Sequence, residues 1–404
     1  PARAPPRADA ARAARADLRA GALSLAAERG ETRPMTRSTR SPGGARLRPI
    51  VAALALCGLA AAARAQPEPG GFAGLGAAAP SAFAEVVPGV SLRFPEDHGP
   101  HRAFRTEWWY VTANLEGPDG ARYGAQWTLF RRGVEPGAPE KGWETGEIWM
   151  AHAAVTTRDA HRAAETFARG GIGQAGVTLG PFEAWIDDWS LSAADPDAAD
   201  PFDALAMRAR AEGFGFDLSL RAEGPLVLHG EAGYSRKSER GQASYYYSQP
   251  FYRAEGTLRI DGRDVAVTGR AWLDREWSTR PMEAGQTGWD WFALHLGDGA
   301  KAMLYRFRQD AGADAFAGTW IAPDGTTAAL DPADVTLEPA GWTEVAGRET
   351  PTRWRVAVAS RGLEVEAEAL NPRAWNALSV PYWEGPIAFE GSHQGVGYLE
   401  MTGY

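Results

Sequence analysis

Cysteine is nearly absent from this sequence, since Cys57 is the only one in 404 residues. A single cysteine excludes an intramolecular disulfide framework and a cage of thiolate ligands around a metal. The chain also lacks a surplus of basic residues, because 42 basic and 51 acidic side chains give a formal charge of −9. Nucleic-acid-binding proteins need a basic face to neutralise phosphates. We therefore predict no nucleic-acid partner.

Several short functional motifs are missing as well. The chain has no glycine-rich phosphate loop and no Gly-x-Ser-x-Gly sequence, the nucleophile elbow of α/β-hydrolases. His98 and His101 have a spacing found in some metal sites, but a third ligand is not evident unless His152 converges on them in space. The proline and glycine around the two histidines favour a structured loop instead. We predict no metal and no cofactor.

Long apolar runs are also lacking. The run at residues 50–63 has 14 residues, whereas a membrane-spanning helix needs roughly 20. Arginines precede the run and Ala63-Arg64-Ala65 follows it, which is the layout of a cleaved signal peptide. Lipid attachment at Cys57 is the alternative, although Leu56 before it is larger than that site prefers. We predict a non-native or disordered leader at 1–34, a signal peptide at 35–65 cleaved near Ala65/Gln66, and a linker at 66–85.

Export would change the composition of the chain. Residues 1–65 hold 12 arginines and 4 acidic residues, so the remaining 339 residues carry a formal charge of −17, no cysteine and all 16 tryptophans. A cysteine-free chain tolerates an oxidising compartment. We expect a secreted or periplasmic protein that is strongly acidic and rich in tryptophan.

From about residue 86 the apolar residues alternate with a period of two. Phe214, Phe216, Leu218 and Leu220 show the pattern, which places one face of a strand on a core and the other in water. Residues 159–170 are a candidate for a short helix or for an excursion of the chain. Asp-Gly pairs, which suit tight hairpins, lie between strand-like runs at 119–120, 261–262, 298–299 and 324–325. The pattern predicts an all-β protein built of antiparallel barrels or sandwiches.

Three sequence markers recur in the same order, which indicates an internal duplication. The first marker is a strand–hairpin–strand unit that begins at Trp108 and occurs again beginning at Trp289. The second is the segment at 246–250, repeated at 382–386, and the third is the segment at 269–274, repeated at 397–400. We predict two domains, residues 86–279 and 280–404.

Several longer motifs together resemble the AttH-like proteins of the carotenoid 1,2-hydratase superfamily. These motifs lie at 94–101, 104–110, 186–189, 243–248, 271–278 and 397–404, and the resemblance runs from about residue 86 to the end. It implies two lipocalin-like antiparallel β-barrel domains in tandem. A glycine before Trp289 matches the lipocalin signature, in which the indole closes the bottom of a barrel that can hold one small ligand.

The resemblance implies less about activity. Some relatives hydrate carotenoid or other alkene double bonds, and many secreted members have no assigned reaction. In the carotenoid hydratases a histidine follows the aspartate that matches Asp274, whereas this chain has Arg275. Arginine is permanently charged and cannot transfer a proton in catalysis. This departure argues against carotenoid hydration specifically, but not against binding of an apolar ligand.

Carboxylates recur beside tryptophans, and this pairing suggests a chemistry. A carboxyl group in an apolar pocket has a raised pKa and can stay protonated, and indole faces attract cations. Such a group could protonate an alkene. Asp274 is the first candidate acid, followed by Asp187 with its neighbour Asp188, and then Glu107. The alternative is structural, because a carboxylate at a strand end often accepts an indole N–H or pairs with arginine.

Aromatic residues are the candidate ligand-binding set: Trp108, Trp109, Tyr245, Tyr247, Trp272, Trp277, Trp289, Trp291 and Tyr305. Alternation directs Tyr245 and Tyr247 to one side of their strand and Tyr246 to the other. Cross-strand aromatic packing would explain the same residues without a ligand.

Two functions remain open from the sequence. The first is an enzyme that adds water to, or isomerises, an isoprenoid- or lipid-like alkene. The second is a non-catalytic envelope carrier of a lipophilic molecule. In both, the partner is an apolar small molecule, with weak association to a membrane or an envelope transport complex as a further expectation.

Overall fold

The computed structural model describes residues 83–138, 140–238 and 241–404. The predicted leader, the signal peptide with its cleavage site, Cys57 and most of the predicted linker lie outside these residues. Within them, no helix has both the length and the apolar character needed to cross a bilayer.

Sheet 1 contains thirteen strands within the described residues. They are β1 (Thr106–Glu116), β2 (Arg122–Gly133), β3 (Glu147–Thr156), β4 (His161–Arg169), β5 (Ala175–Leu179), β6 (Phe182–Ile186), β7 (Trp189–Ala193), β8 (Ala204–Ala211), β9 (Phe214–Ala222), β10 (Val227–Leu228), β11 (Tyr234–Arg236), β12 (Ala243–Ile260) and β13 (Arg263–Ser278). Neighbours pair antiparallel in the order β4-β3-β2-β1-β13-β12-β9-β8-β7-β6-β5, while β10 and β11 pair with β12.

Sheet 2 contains ten strands among the described residues. They are β14 (Gln286–Leu296), β15 (Lys301–Gln309), β16 (Ala315–Ile321), β17 (Thr327–Ala329), β18 (Val335–Val345), β19 (Arg348–Val358), β20 (Leu363–Ala369), β21 (Trp375–Asn376), β22 (Tyr382–Gly391) and β23 (Gly395–Met401). Their order is β17-β16-β15-β14-β23-β22-β20-β19-β18, with β21 on β22.

The predicted all-β fold of two tandem lipocalin-like domains is confirmed. One sheet nearly closes into a barrel and the other forms a half-barrel. Helical structure in the described chain is limited to short 3₁₀ turns at Glu96–His98, Pro201–Asp203, Pro332–Asp334 and Ala359–Arg361. The short helix considered at 159–170 is wrong, because His161–Arg169 pairs along β3 as strand β4.

The strand order supports the predicted duplication. The series β4-β3-β2-β1-β13-β12-β9-β8-β7 in sheet 1 has the same connectivity as β17-β16-β15-β14-β23-β22-β20-β19-β18 in sheet 2. The three sequence markers fall on corresponding strands, namely β1 and β14, β12 and β22, and β13 and β23. All four Asp-Gly pairs lie in turns that join paired strands.

Alternation along the strands separates three apolar clusters. One fills the concave side of sheet 1 with residues such as Trp109, Trp127 and Leu273, and a second, around Trp354 and Trp383, fills sheet 2. The third cluster includes Tyr110, Tyr246, Trp272, Trp291 and Tyr305, which come from both sheets. The two sheets therefore pack through the faces that point away from their own cores.

Candidate active site between the two sheets

A cavity of about 330 Å³ lies where the two sheets meet. Its lining comes from β1–β4, β12 and β13 of sheet 1, and from β14, β15, β22 and β23 of sheet 2. The volume is at the lower end of the range for small-molecule sites, roughly 300–1,000 Å³. The site is thus built by both domains and lies outside the core of either sheet.

Asp274 on β13 is the buried acid of this cavity. Burial raises its pKa from 3.8 to about 7, although three hydrogen bonds act in the opposite direction. The Tyr246 hydroxyl donates to Oδ2 at 2.6 Å and the Trp272 indole donates to Oδ1 at 2.6 Å. Ser248 also donates to Oδ1. These donors fix the carboxyl group in place, and burial keeps a large fraction of it protonated near neutral pH.

Glu400 on β23 is a second acid in the same cavity. Burial raises its pKa to about 7, and the negative charges of Asp274 and Glu276 act in the same direction. The Trp289 indole donates to Glu400 Oε1 at 2.6 Å. Glu384, its partner across β22 and β23, is fully buried, which raises the Glu384 pKa well above its ordinary value. Burial thus raises the pKa of both acids of sheet 2, and that of Glu400 comes to lie near neutral pH.

Glu276, also on β13, differs from the other acids because it has a cationic partner. Lys237 Nζ lies 2.9 Å from Glu276 Oε1, and Ser244 donates to the same oxygen. Burial is the largest single influence and lowers the Lys237 pKa, but Glu276, Tyr305 and Asp274 together outweigh it and raise that pKa. The ammonium also lies over the rings of Tyr246 and Tyr305, at 4.7 and 4.6 Å from their centres. This pair supplies a fixed positive and a fixed negative charge to the cavity wall.

Several hydrogen bonds join the sheets across the site, and two of them reach one of the acids or a donor to Asp274. Tyr110, the β1 partner of Asp274, donates its hydroxyl to Glu384 Oε1 at 2.5 Å. Trp291, the β14 partner of Glu400, donates its indole N–H to the Tyr246 hydroxyl at 3.1 Å. Each sheet therefore positions acidic or phenolic groups of the other.

The rest of the cavity lining is mainly apolar, and its exposed edge includes side chains of β3 and β4. Phe130, Met150 and Phe307 contribute to its wall. Ile148 and Phe167 also line it, yet each is 49% exposed to solvent. Exposed apolar side chains often belong to a binding surface. Because these two also line the cavity, we take them as its mouth.

Five of the predicted site residues line this cavity: Asp274, Trp108, Trp289, Trp291 and Tyr305. Trp272 does not line it but holds Asp274. The structure brings the predicted acid and these aromatic residues together, although they come from both halves of the sequence.

Four predicted aromatic residues lie on the other face of sheet 1. Trp109, Tyr245, Tyr247 and Trp277 pack in the core of sheet 1, and Tyr246 is the member of the tyrosine triplet that reaches the cavity. Alternation correctly predicted that Tyr246 faces the opposite side from Tyr245 and Tyr247. The latter two were assigned to ligand binding, but they face the core.

Glu107 also faces the core of sheet 1 and belongs to an ion-pair network. Arg131 donates to its Oε1, and Arg275 Nη2 lies 3.2 Å from its Oε2. Although burial raises the Glu107 pKa, these two guanidinium groups and His101 outweigh it and lower that pKa well below its ordinary range. A carboxylate held ionised in this way cannot donate a proton near neutral pH.

Asp187 and Asp188 occupy the turn between β6 and β7, and both are exposed. Asp187 has a φ of 53° and accepts hydrogen bonds from Thr166 and Gln174 at 3.0 and 3.1 Å. The two residues thus form the reversal of the chain between these strands. The structure does not bring them to the cavity.

Arg275 points away from the cavity, because adjacent residues of a strand face opposite sides. Its guanidinium lies 3.7 Å from the centre of the Trp109 ring and donates to the carbonyl oxygens of Trp108 and Gly99 at 2.7 Å. The departure from the carotenoid hydratases at this position therefore does not touch the wall that carries Asp274.

The histidine pair also lies in the ion network rather than in the cavity. His98 Nδ1 is 2.6 Å from the Tyr247 hydroxyl and its Nε2 is 2.9 Å from Asp200. His101 contacts Glu107 and Asp97. In the described part of the chain, no group of three or more His, Cys, Asp or Glu side chains is arranged to hold a metal ion.

Sequence reasoning missed Tyr246, Glu400, Glu384, Glu276, Lys237 and Tyr110. One signal could have identified Glu400, because the duplication aligned the segment ending at Asp274 with the segment ending at Glu400. Both are acids at the same strand position of the repeated unit.

Comparison with known proteins agrees with this architecture. The family model described as AttH-like matches residues 85–404. The chain belongs to the AttH-like family. The resemblance seen in the motifs is thereby confirmed over the whole predicted range.

Solved structures show the same AttH-like arrangement. A protein assigned to AttH from Nitrosomonas europaea is 32% identical, and the match covers 80% of this chain and 100% of that one with a TM-score of 0.70. Kievitone hydratase from Nectria haematococca is 16% identical, covers 80% of this chain and 97% of its own, and has a TM-score of 0.60. The latter similarity shows the fold. No curated protein sequence matches the chain.

Proposed function

We propose that this AttH-like protein binds an isoprenoid- or lipid-like alkene in the cavity between its sheets and adds water to the double bond. Asp274 is the proton donor. The observation that carries the proposal is a buried carboxyl group in an apolar cavity, fixed by three donors, with a pKa raised to about 7. An acid of that strength is largely protonated below neutral pH and can still ionise during catalysis.

The reaction balances with groups present in the cavity. Asp274 transfers its proton to one alkene carbon, so positive charge develops on the other carbon. The aromatic side chains of Trp108, Trp291 and Tyr246 line the cavity, and aromatic rings stabilise such a charge by cation–π attraction. Water then adds to the cationic carbon and releases a proton, which leaves an alcohol. The carboxylate of Asp274 recovers a proton before the next cycle.

The cavity volume limits the part of a substrate that can be enclosed. At about 30 Å³ for a water-sized unit, 330 Å³ accommodates on the order of a dozen non-hydrogen atoms. That matches a small terpene or the end of a longer prenyl chain. The remainder of a longer substrate would leave past Ile148 and Phe167.

Two further observations support the proposal. The fold is shared with a protein named as a hydratase, kievitone hydratase, and fold similarity alone does not assign a substrate. The sequence before residue 66 has the layout of a signal peptide, which supports action outside the cytoplasm. Export would place the protein where lipophilic molecules of the envelope are available.

Incubation of the purified protein with acyclic terpenes and carotenoids in heavy-oxygen water tests the reaction. We expect one labelled oxygen atom in the alcohol product. Asp274→Asn should reduce the rate by about 100-fold or more, since general acid catalysis contributes roughly 10²–10⁴-fold. The matched control is Asp217→Asn, which changes an exposed aspartate on β9 and should leave the rate unchanged.

The carrier hypothesis gives a different result in the same experiment. A carrier would retain an apolar molecule through purification, detectable by native mass spectrometry, and would return it without label. Absence of labelled product across the panel together with a retained ligand would replace the hydratase proposal with carriage.

A further inference from the structure

We infer that Glu400 is a second catalytic residue, the base that removes a proton from the water that attacks the cationic carbon. This assignment rests on the proposed hydration. The assignment extends the proposed function, because Asp274 alone explains protonation of the alkene but not activation of the water. The evidence is the position of Glu400, its contacts, and the different states of the other acids near the cavity.

Glu400 occupies the position in sheet 2 that Asp274 occupies in sheet 1. Strand β23 lies between β14 and β22, as β13 lies between β1 and β12. Both acids face the space between the sheets and line the same cavity. The duplication has therefore provided one carboxyl group from each domain to a single ligand site.

Two like charges in one apolar cavity do not ionise together, because each raises the cost of the other. The negative charge of Asp274 acts on Glu400 to raise its pKa. Both pKa values lie at about 7, so near neutral pH much of the protein carries one proton on these two carboxyl groups. A hydratase needs that form, with one carboxylic acid to donate a proton and one carboxylate to accept one.

The remaining acids near the cavity are not available for the role of base. Glu276 is paired with Lys237 at 2.9 Å and also accepts from Ser244, so its charge is already compensated. Glu384 does not belong to the cavity lining and receives the Tyr110 hydroxyl and the Asn376 amide. Glu400 borders the cavity and retains partial exposure to it.

The cycle is balanced with two carboxyl groups. Asp274 loses a proton to carbon, and a water oxygen forms a bond to the adjacent carbon. One O–H bond of that water breaks, and Glu400 accepts the proton. The cavity now holds ionised Asp274 and protonated Glu400, so transfer of one proton from Glu400 to Asp274, through solvent or directly, restores the starting state.

Glu400→Gln separates the two steps of this cycle in the full-length protein. Glutamine keeps an oxygen that can accept from the Trp289 indole but cannot act as a base. In deuterated heavy-oxygen water, we expect incorporation of labelled oxygen to fall by about 100-fold or more. Deuterium exchange into recovered alkene should persist, because Asp274 can still protonate the double bond and the cation can return a proton. Asp274→Asn should abolish both signals.

The controls distinguish the possible failures. Glu366→Gln changes an exposed glutamate of β20 and should behave as wild type, while Glu400→Asp should retain part of the hydration rate and serves if the glutamine variant does not fold. A wild-type hydration rate in Glu400→Gln would overturn this assignment and leave the proposed function intact. Equal loss of exchange and hydration would also overturn it. An inactive wild-type protein would overturn the proposed function and this assignment with it.

Discussion

Two opposing influences act on the Asp274 carboxyl group. Burial removes water and favours the neutral acid, whereas the donors Tyr246, Trp272 and Ser248 favour the carboxylate. Burial is the larger influence, so the pKa rises to about 7. The same carboxyl group with fewer donors would be a weaker acid, and one outside the cavity would be ionised at neutral pH. The surroundings of Asp274 therefore set the acid strength that the proposed hydration requires.

The raised pKa of Asp274 predicts a specific pH dependence of stability. The unfolded carboxyl ionises near 3.8 and the folded one near 7, so the folded state binds more protons between these values. The contribution of Asp274 to stability is complete below the unfolded pKa and is lost as pH rises through about 7. Asparagine does not titrate. Chemical denaturation should show that the wild type loses unfolding free energy between pH 5 and pH 8. In Asp274→Asn this loss should be smaller by about 3 kcal/mol.

The remaining slope in that variant belongs to Glu400 and other groups. The denaturant dependence of unfolding should be unchanged, which is the control for a shared unfolded state. Equal pH dependence of the wild type and Asp274→Asn would show that Asp274 ionises normally in the folded protein.

Strand β12 shows which features could be predicted from the sequence. The fold was predicted correctly, but the ligand-binding residues were assigned to the wrong face of this strand. Alternation along this strand and the Asp-Gly turns identified the sheets, because local backbone preferences and period-two patterning depend on near neighbours. The choice of the face that binds ligand depends on the second sheet, which packs on Tyr246 but not on Tyr245 or Tyr247. Neighbouring residues of one strand therefore lie either in the core of sheet 1 or on the cavity side.

Two tyrosines next to each other on β12 should respond differently to the same change. Tyr246→Phe removes a donor to Asp274, so the Asp274 pKa should rise and the basic limb of the pH–rate profile should move up by about one pH unit. Tyr247→Phe removes the 2.6 Å contact to His98 in the core and should lower the melting temperature without moving that limb. Equal shifts of the limb in both variants would contradict the assignment of faces.

The two sheets together form a site that neither forms alone. The lipocalin comparison suggested a ligand inside a barrel, but the interiors of both sheets are filled by apolar side chains and the cavity lies between them. Sequence patterns predict which residues are buried, but not which domain packs against them. The internal duplication is the exception, since the repeated segments end at Asp274 and at Glu400, and both acids line the cavity.

The mouth of the cavity gives a prediction for the complete protein. Ile148→Glu combined with Phe167→Glu places two charges where an apolar ligand enters, and both side chains are half exposed, so the fold should persist. Affinity for a fluorescent apolar probe should fall at least about tenfold, since burying apolar surface contributes roughly 25 cal/mol per Å². Leu179→Glu is the matched control, because Leu179 is also exposed but does not line the cavity. Equal affinity in the double variant and the wild type would place the ligand elsewhere.

Infrared difference spectroscopy of the wild type against Asp274→Asn tests the central claim most directly, because it reports protonation of one carboxyl group without a substrate. We predict a carbonyl stretch of a protonated carboxylic acid in the wild type at pH 6 that is absent from the variant and disappears from the wild type as the pH rises through about 7. Asp217→Asn should leave this band in place. Absence of the band at pH 6 would show that Asp274 is an ordinary carboxylate, and the account of acid catalysis between the sheets would then be wrong.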